Sequence, residues 1–332
     1  MHTIDGGAGG GQLLRTSLAL AACRGEAIRV RDIRGSRDSP GLRPQHLAGV
    51  RLLAEITDAD VRGAEQGSTE IRFDPGAVRS GDYEIDIGTA GAITLLFDTV
   101  LPLATAIDEP LSVTATGGTD VRWSPPIDYF EHVKLPVVRS FGLEASVSVE
   151  RRGFYPAGGG TATLELRPSE LSPLACTERG PLKTADAYAV AEQRLADADV
   201  AGRLAARASE RLREAGIEVQ SHESVVDARS AGAALTLVFT YDHPVGFTAL
   251  GEKGVPAEAV ADDAVDAALA FHERDAVVDA HLADQLVLFL ALAGGEVRLP
   301  ERTDHVATSL RLLRGFGYEL EEEDGVVRRE SA

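Results

Sequence analysis

Apolar positions cluster along the chain in a recurring order. Ile4 and Asp5 close a short strand-like stretch, a glycine turn follows, and residues 12–22 form an almost wholly apolar helical run. The order returns with Ile85 and Asp86, the turn IGTAG and an apolar helical run over 92–101 that stops at Pro102. The two Ile-Asp pairs lie 81 residues apart. A third apolar helix, ADQLVLFLALAGG from Ala283, runs into the strand pattern EVRLP. Together these predict a mixed α/β (α+β) chain built on a repeated unit of about 80 residues.

Between the second and third copies the pattern changes. DADVAGRLAARASERLREAG has apolar residues at Val200, Leu204, Ala208 and Leu212 on an otherwise charged helix, with Gly216 as its stop. AALTLVFTYDH reads as a strand and PAEAVADDAVDAALAFHE as a second helix. Residues 179–276 are therefore expected to form a small α/β domain, inserted into a large domain made of 1–178 and 277–332.

Composition adds the setting. The 332 residues are 44% hydrophobic, with a formal net charge of −19 and three lysines, Lys134, Lys183 and Lys253. Acidity without loss of apolar content is not the signature of disorder. It matches a folded protein adapted to a very salty cytoplasm, where self-repulsion is screened. Cys23 and Cys176 stand far apart, which excludes a zinc motif or a disulfide framework. No signal-peptide pattern and no apolar run of membrane-spanning length is present, so a cytoplasmic location and no membrane partner are expected. The acidic balance does not decide for or against nucleic acid, because in concentrated salt counterion release contributes little.

Several stretches carry candidate chemistry. The first glycine loop, IDGGAGGGQLLR, lacks the Lys-Ser/Thr pair of a Walker loop; its glycines either cradle a phosphate or let strand and helix pack closely. DIRGSRDSPGLRPQHLAGV places Arg34, Arg37 and Arg43 in a loop ahead of Gln45 and His46. Arginine forks suit phosphate oxygens, and the alternative is salt bridging to the acidic surface. GGTDVRWSPPIDYF holds Trp123, Pro126 and Tyr129, for base stacking or for ordinary packing. RRGFYPAGGG is a tight turn ahead of the strand TATLELRP. In ERTDHVATSLRLLRGFG, Thr303 or Asp304 caps a helix and His305 falls in its first turn. The positive helix end favours a neutral imidazole and attracts phosphate, a setting for a nucleophile.

Taken in order, IDGGAGGGQLLRTSLAL, IRGSRDSPGLRPQHL, GTAGAITLLFDTVLP, GFYPAGGG, GEKGVPAE, LADQLVL and TDHVATSL closely resemble the RNA 3′-terminal phosphate cyclases from residue 4 to residue 312. The resemblance implies three repeated βαβαββ-type units like the C-terminal domain of translation initiation factor 3, plus an inserted thioredoxin-like domain. It implies an ATP-dependent ligase that converts an RNA 3′-phosphate to a 2′,3′-cyclic phosphate through a histidine-AMP and an RNA-adenylate. His305 would be the nucleophile, and Arg15, Arg34, Arg37, Gln45 and His46 match positions needed for activity. Gly10, Gly11, Gln12, Asp98, Asp284 and Gln285 fall at the nucleotide site, and Pro126, Tyr129 and His281 at the adenine pocket. Asp284 would hold Mg²⁺ or Mn²⁺ or orient His305. RNA and ATP are the implied partners, and a homodimer is compatible.

Two departures stand out. The loop from Asp5 to Gln12 is two residues shorter than the family's and lacks its glutamate, and Asp98 replaces a common glutamine, at a cost unless a cation pairs it. The missing glutamate leaves a second reading open, a cyclase-like scaffold without catalysis that acts in ribosome assembly. An enolpyruvate transferase is disfavoured by the scarcity of lysine.

Overall fold

The computed structural model describes residues 1–7, 9–300 and 303–330. The chain begins with β1 (His2–Asp5), α1 (Gly10–Arg24), β2 (Ile28–Arg31), α2 (Pro44–Thr57), β3 (Asp60–Arg62) and β4 (Ile71–Asp74). It continues through β5 (Gly81–Asp86), α3 (Ile93–Val100) and β6 (Leu111–Gly117). A helical run follows, made of α4 (Ile127–Tyr129), a wider π turn (Phe130–Lys134) and α5 (Leu135–Ser140), then β7 (Ala145–Arg151) and β8 (Gly160–Leu166).

After β9 (Leu174–Cys176) the chain departs into β10 (Thr184–Glu192), α6 (Val200–Glu214), β11 (Gln220–Val226), β12 (Ala233–Thr240), β13 (Pro244–Leu250) and α7 (Ala257–His272). It returns with α8 (Ala280–Ala293), β14 (Gly295–Arg298), α9 (Asp304–Gly315), β15 (Glu321–Glu323) and β16 (Val326–Arg329).

Among the described residues the strands form four mixed four-stranded sheets, ordered β1-β2-β4-β3, β5-β6-β8-β7, β9-β14-β16-β15 and β11-β10-β12-β13. The first three share one connectivity. The first strand pairs parallel with the second, and the remaining pairings are antiparallel. In the third sheet, the first strand β9 and the helix α8 that should follow it are separated by about a hundred residues. The apolar pattern starts this third copy at a helix because β9, three residues long, is too short to show alternation.

One large apolar cluster joins the first three sheets and their helices. A second, from Ala185 to Phe271, lies under the fourth sheet. There Ala185, Ala187, Ala189 and Ala191 alternate into the core from β10, against Leu204, Ala208 and Leu212 of α6. α1 packs among α2, α3 and α9, with Leu14, Leu18, Ala19, Leu20 and Ala21 buried. Such all-round burial explains why its sequence shows little polar periodicity.

α8 starts at Ala280, three residues before its apolar run. Asp279 caps it, accepting hydrogen bonds from the backbone N–H groups of His281 and Leu282. No helix among the described residues is long and apolar enough to cross a membrane.

Candidate active site

β1 ends at Asp5, whose Oδ1 accepts from the backbone N–H of Gly7 at 2.9 Å and turns the chain toward α1. Asp86 and Gly88 make the same turn after β5, at 2.8 Å. α1 then begins on its glycines, with Gly10 at a left-handed φ of 58°. A Cβ on Gly11 would stand 2.3 Å from Nε2 of His46 and 3.1 Å from the guanidinium of Arg15, and one on Gly10 would meet Arg37 at 3.4 Å. The absence of side chains here lets three basic groups close around the first turn of α1.

Gln12, the third residue of α1, reaches across to α9. Its Nε2 donates to Ser309 Oγ at 3.2 Å, so its Oε1 faces His305 Nδ1 at 2.6 Å. With the amide so oriented, the tautomer of the neutral ring that fits has its proton on Nδ1 and its lone pair on Nε2. Thr303 caps α9, its hydroxyl oxygen accepting from the N–H of Val306. His305 therefore sits exposed at the positive end of a helix, held by one ring nitrogen, and among the described residues the other has no hydrogen-bond partner.

Behind this pair lies a buried polar cluster. Lys134 is 2% exposed; its Nζ donates to Gln285 Oε1 at 2.8 Å and lies 3.8 Å from Asp98 Oδ1, which has no hydrogen-bond partner. Burial pushes the Asp98 carboxyl up, and Lys134 and Arg15 oppose that shift. Burial lowers Arg15, against the pull of Asp98 and Asp284. Burial also raises Asp284, opposed by Lys134, His305 and His281. The carboxyl at 98 thus has cationic neighbours, but burial outweighs them. The sequence did not single out Lys134, although a lysine inside the apolar stretch FEHVKLPVV was a signal.

His46 opens α2 and its Nδ1 accepts from the N–H of Arg43 at 3.2 Å. Burial, helped by Arg15, Arg34 and Arg43, pushes its pKa down to about 3, so the ring is neutral. Arg34 donates to the carbonyls of Ser39 and Gly41, bracing its own loop. Its pKa is lowered by burial and by Arg43 and Arg37, which marks a group of cations close enough to repel one another.

The remaining residues are placed differently. The Oε1 of Gln45 accepts from the N–H of Ala92, just before α3. Pro126 immediately precedes α4. Tyr129 is 1% exposed, donates to Asp279 at 2.7 Å and packs with Val133 and Val238, so its ring offers no open face. The exposed His281 ring stands edge-on to it at 5.9 Å.

A cavity of about 550 Å³ is lined by Pro44, Leu47, Arg51, Asp86 and Thr89, and His305 is not among its lining residues. Among the described residues one group of three side chains has metal-ligand spacing, Asp128, Glu131 and His132. Asp128 is already bonded to Arg152, and His132 is stacked on Tyr188 at 3.9 Å.

The model of one family, RNA 3′-terminal phosphate cyclase, matches residues 6–319. The chain belongs to the RNA 3′-terminal phosphate cyclase family. A Halobacterium salinarum protein named RNA 3′-terminal phosphate cyclase is 48% identical, over 98% of this chain and 99% of its own. Proteins of the same name from Archaeoglobus fulgidus (40% identical, 95% of each chain) and Methylococcus capsulatus (42%, 95% of this chain and 90% of its own) are also similar. A solved enolpyruvyl transferase, NikO from Streptomyces tendae, aligns at a TM-score of 0.28 with 14% identity over 49% of this chain and 31% of its own, too slight a likeness to inform fold or activity. Full-length similarity to proteins named as cyclases supports a ligase-type RNA 3′-phosphate cyclase and does not favour a non-catalytic scaffold.

Proposed function

We propose that this cyclase works through a covalent nucleotide on His305. The observation that carries the reading is the Gln12–His305 contact, which engages Nδ1 and leaves Nε2 on the other side of an exposed ring at a helix start. Nε2 attacks the α-phosphorus of ATP, an N–P bond forms, the bond to the β-phosphate oxygen breaks, and pyrophosphate leaves. An oxygen of the RNA 3′-phosphate then attacks the adenylyl phosphorus, and the electron pair of the N–P bond returns to Nε2. Finally the neighbouring ribose 2′-hydroxyl attacks the RNA phosphorus, loses its proton and expels AMP, closing the 2′,3′-cyclic phosphate. A phosphate monoester has no good leaving group of its own, and adenylation supplies one.

Arg37 beside Gly10, with Arg15 and neutral His46 beside Gly11, supplies donors to the phosphate chain. Arg34 holds the loop that presents Arg37. Gln12 keeps the imidazole in one tautomer, and α9 directs its N-terminus at the transferring phosphoryl group.

Asp284, with Asp98 close enough to raise its pKa, would hold a divalent ion; two half-buried carboxylates suit an oxygen-seeking cation such as Mg²⁺ or Mn²⁺. Such an ion would neutralise charge on the phosphate chain. Lys134 keeps the carboxylates in place and lowers the cost of their burial. His281 and Pro126, at the starts of α8 and α4, flank the place we assign to the adenine.

In the same reading, the three sheets of shared connectivity are copies of one unit like the C-terminal domain of translation initiation factor 3. Residues 179–276, with their own sheet and core, form an inserted thioredoxin-like domain.

The test is incubation with α-labelled ATP and Mg²⁺ or Mn²⁺ in concentrated KCl, beside His305→Ala. Acid-labile, base-stable label on the wild type and none on the variant is the expected result. Absence of label on folded wild-type protein would overturn the covalent step.

A further inference from the structure

Among the described residues, Trp123 and Tyr155 are the only exposed Trp, Tyr or Phe side chains, at 94% and 70%, and they sit on two loops that grip each other. Backbone N–H groups of Thr119 and Asp120 donate to the carbonyl of Gly153, and the Gly153 N–H donates to Thr119 Oγ1 at 2.8 Å. Asp120 and Phe154 form a parallel bridge. Beneath them, the largely buried Arg152 pairs with Asp120 and Asp128, tying both loops to the first turn of α4. The base of the two loops is buried and hydrogen-bonded, while both aromatic side chains are exposed.

Trp123 also holds a left-handed φ of 65°, a conformation that favours glycine. Strain of this kind persists where a side chain is needed. Around the tips, Arg122 pairs with Glu252 of the loop after β13, where Lys253 and Val255 are exposed. The Trp123 loop runs directly into Pro126 and Tyr129, and the Tyr129 hydroxyl meets Asp279 beside His281. The Trp123 loop thus leads along the chain to the residues assigned to the adenine, and neither ring belongs to the groups given a catalytic role.

Resting on the cyclase reading above, we propose that Trp123 and Tyr155 form a stacking platform for bases of the single-stranded RNA upstream of its terminal phosphate. Only the end of the RNA takes part in the reaction, so the strand behind it lies on the protein surface. Stacking is tolerant of sequence. It also suits a chain with a net charge of −19, which has little basic surface for tracking phosphates.

Trp123 is the single tryptophan, so its fluorescence reports the platform directly. The protein is titrated with a 3′-phosphorylated RNA of about ten nucleotides, within the usual footprint of single-strand binders, with a nucleoside 3′-phosphate, and with ATP. Quenching by the oligonucleotide, and little by the two small ligands, is the expected result. Trp123→Ala and Tyr155→Ala should each weaken oligonucleotide binding about 10-fold, the scale of one lost stacking contact, and Trp123→Phe should recover most of it. Unchanged fluorescence on adding the oligonucleotide, or equal quenching by ATP alone, would overturn the platform. Both readouts are equilibrium binding, so they stand even if His305 proves not to carry AMP.

Discussion

His46 illustrates how a neutral side chain is enforced. Its ring is enclosed by α1 and faces Arg15, Arg34 and Arg43, and the folded-state pKa is pushed down to about 3. The unfolded chain, with an ordinary imidazole near 6.5, binds the proton between those two values while the folded chain does not. Stability therefore falls as pH drops through this window, with a slope from this group of up to about 1.4 kcal/mol per pH unit. His46→Asn keeps an acceptor for the Arg43 N–H and removes the titration. Urea unfolding of both proteins between pH 4 and 7 should show a shallower loss for the variant, and parallel curves would refute the assignment. Gln12, His305 and His46 were visible as residues in their motifs. The contact that orients the His305 ring and the enclosure that keeps His46 neutral were not, because those depend on Ser309 and Arg15 arriving from other elements.

At the scale of elements, one contact recurs between the shared-topology units. Where α1 begins, Gln12 meets the second residue of α9, His305. Where α3 begins, the N–H of Ala92 meets the second residue of α2, Gln45. Where α8 begins, its cap Asp279 meets the third residue of α4, Tyr129. Each unit thus seats the start of its first helix on the start of the second helix of the unit before it in cyclic order, and in one of the three the contact itself is made by an exposed imidazole. Gln45 has a structural duty at its seat whatever else it does. Gln45→Ala should lower unfolding stability by about 1 kcal/mol, the usual worth of one hydrogen bond, and Gln45→Glu, which keeps an oxygen acceptor, should restore most of it. Denaturation midpoints measure both. Equal stability of Gln45→Ala and wild type would show that the Ala92 contact carries no weight.

For the whole molecule, 52 acidic against 33 basic residues make self-repulsion a general term. Part of it is met locally. Arg203, Arg207 and Arg211 of α6 pair with Glu258, Asp262 and Asp266 of α7, one helical turn apart. Exposed pairs of this kind each contribute little. The larger effect is screening, whose range shrinks from about 10 Å at 0.1 M salt to about 3 Å at 1 M. We expect the melting temperature to rise by more than about 5 °C between those concentrations of KCl, equivalent to roughly 3–4 kcal/mol for a chain of this size. A flat or falling melting curve series would refute salt adaptation.

The sequence by itself determined what local pattern can determine. The apolar helices, the two Asp-Gly turns 81 residues apart, the caps at Thr303 and Gly216 and the change of pattern after residue 179 follow from nearest-neighbour chemistry and periodicity. Tertiary structure decided the rest. It separated β9 from α8 by a hundred residues and still placed β9 beside β14. It sank Lys134 between Asp98 and Gln285, and turned Gln12 toward His305 but Gln45 toward Ala92. These are contacts across long chain separations. Their existence depends on how whole units pack, and no local run of residues encodes that distance.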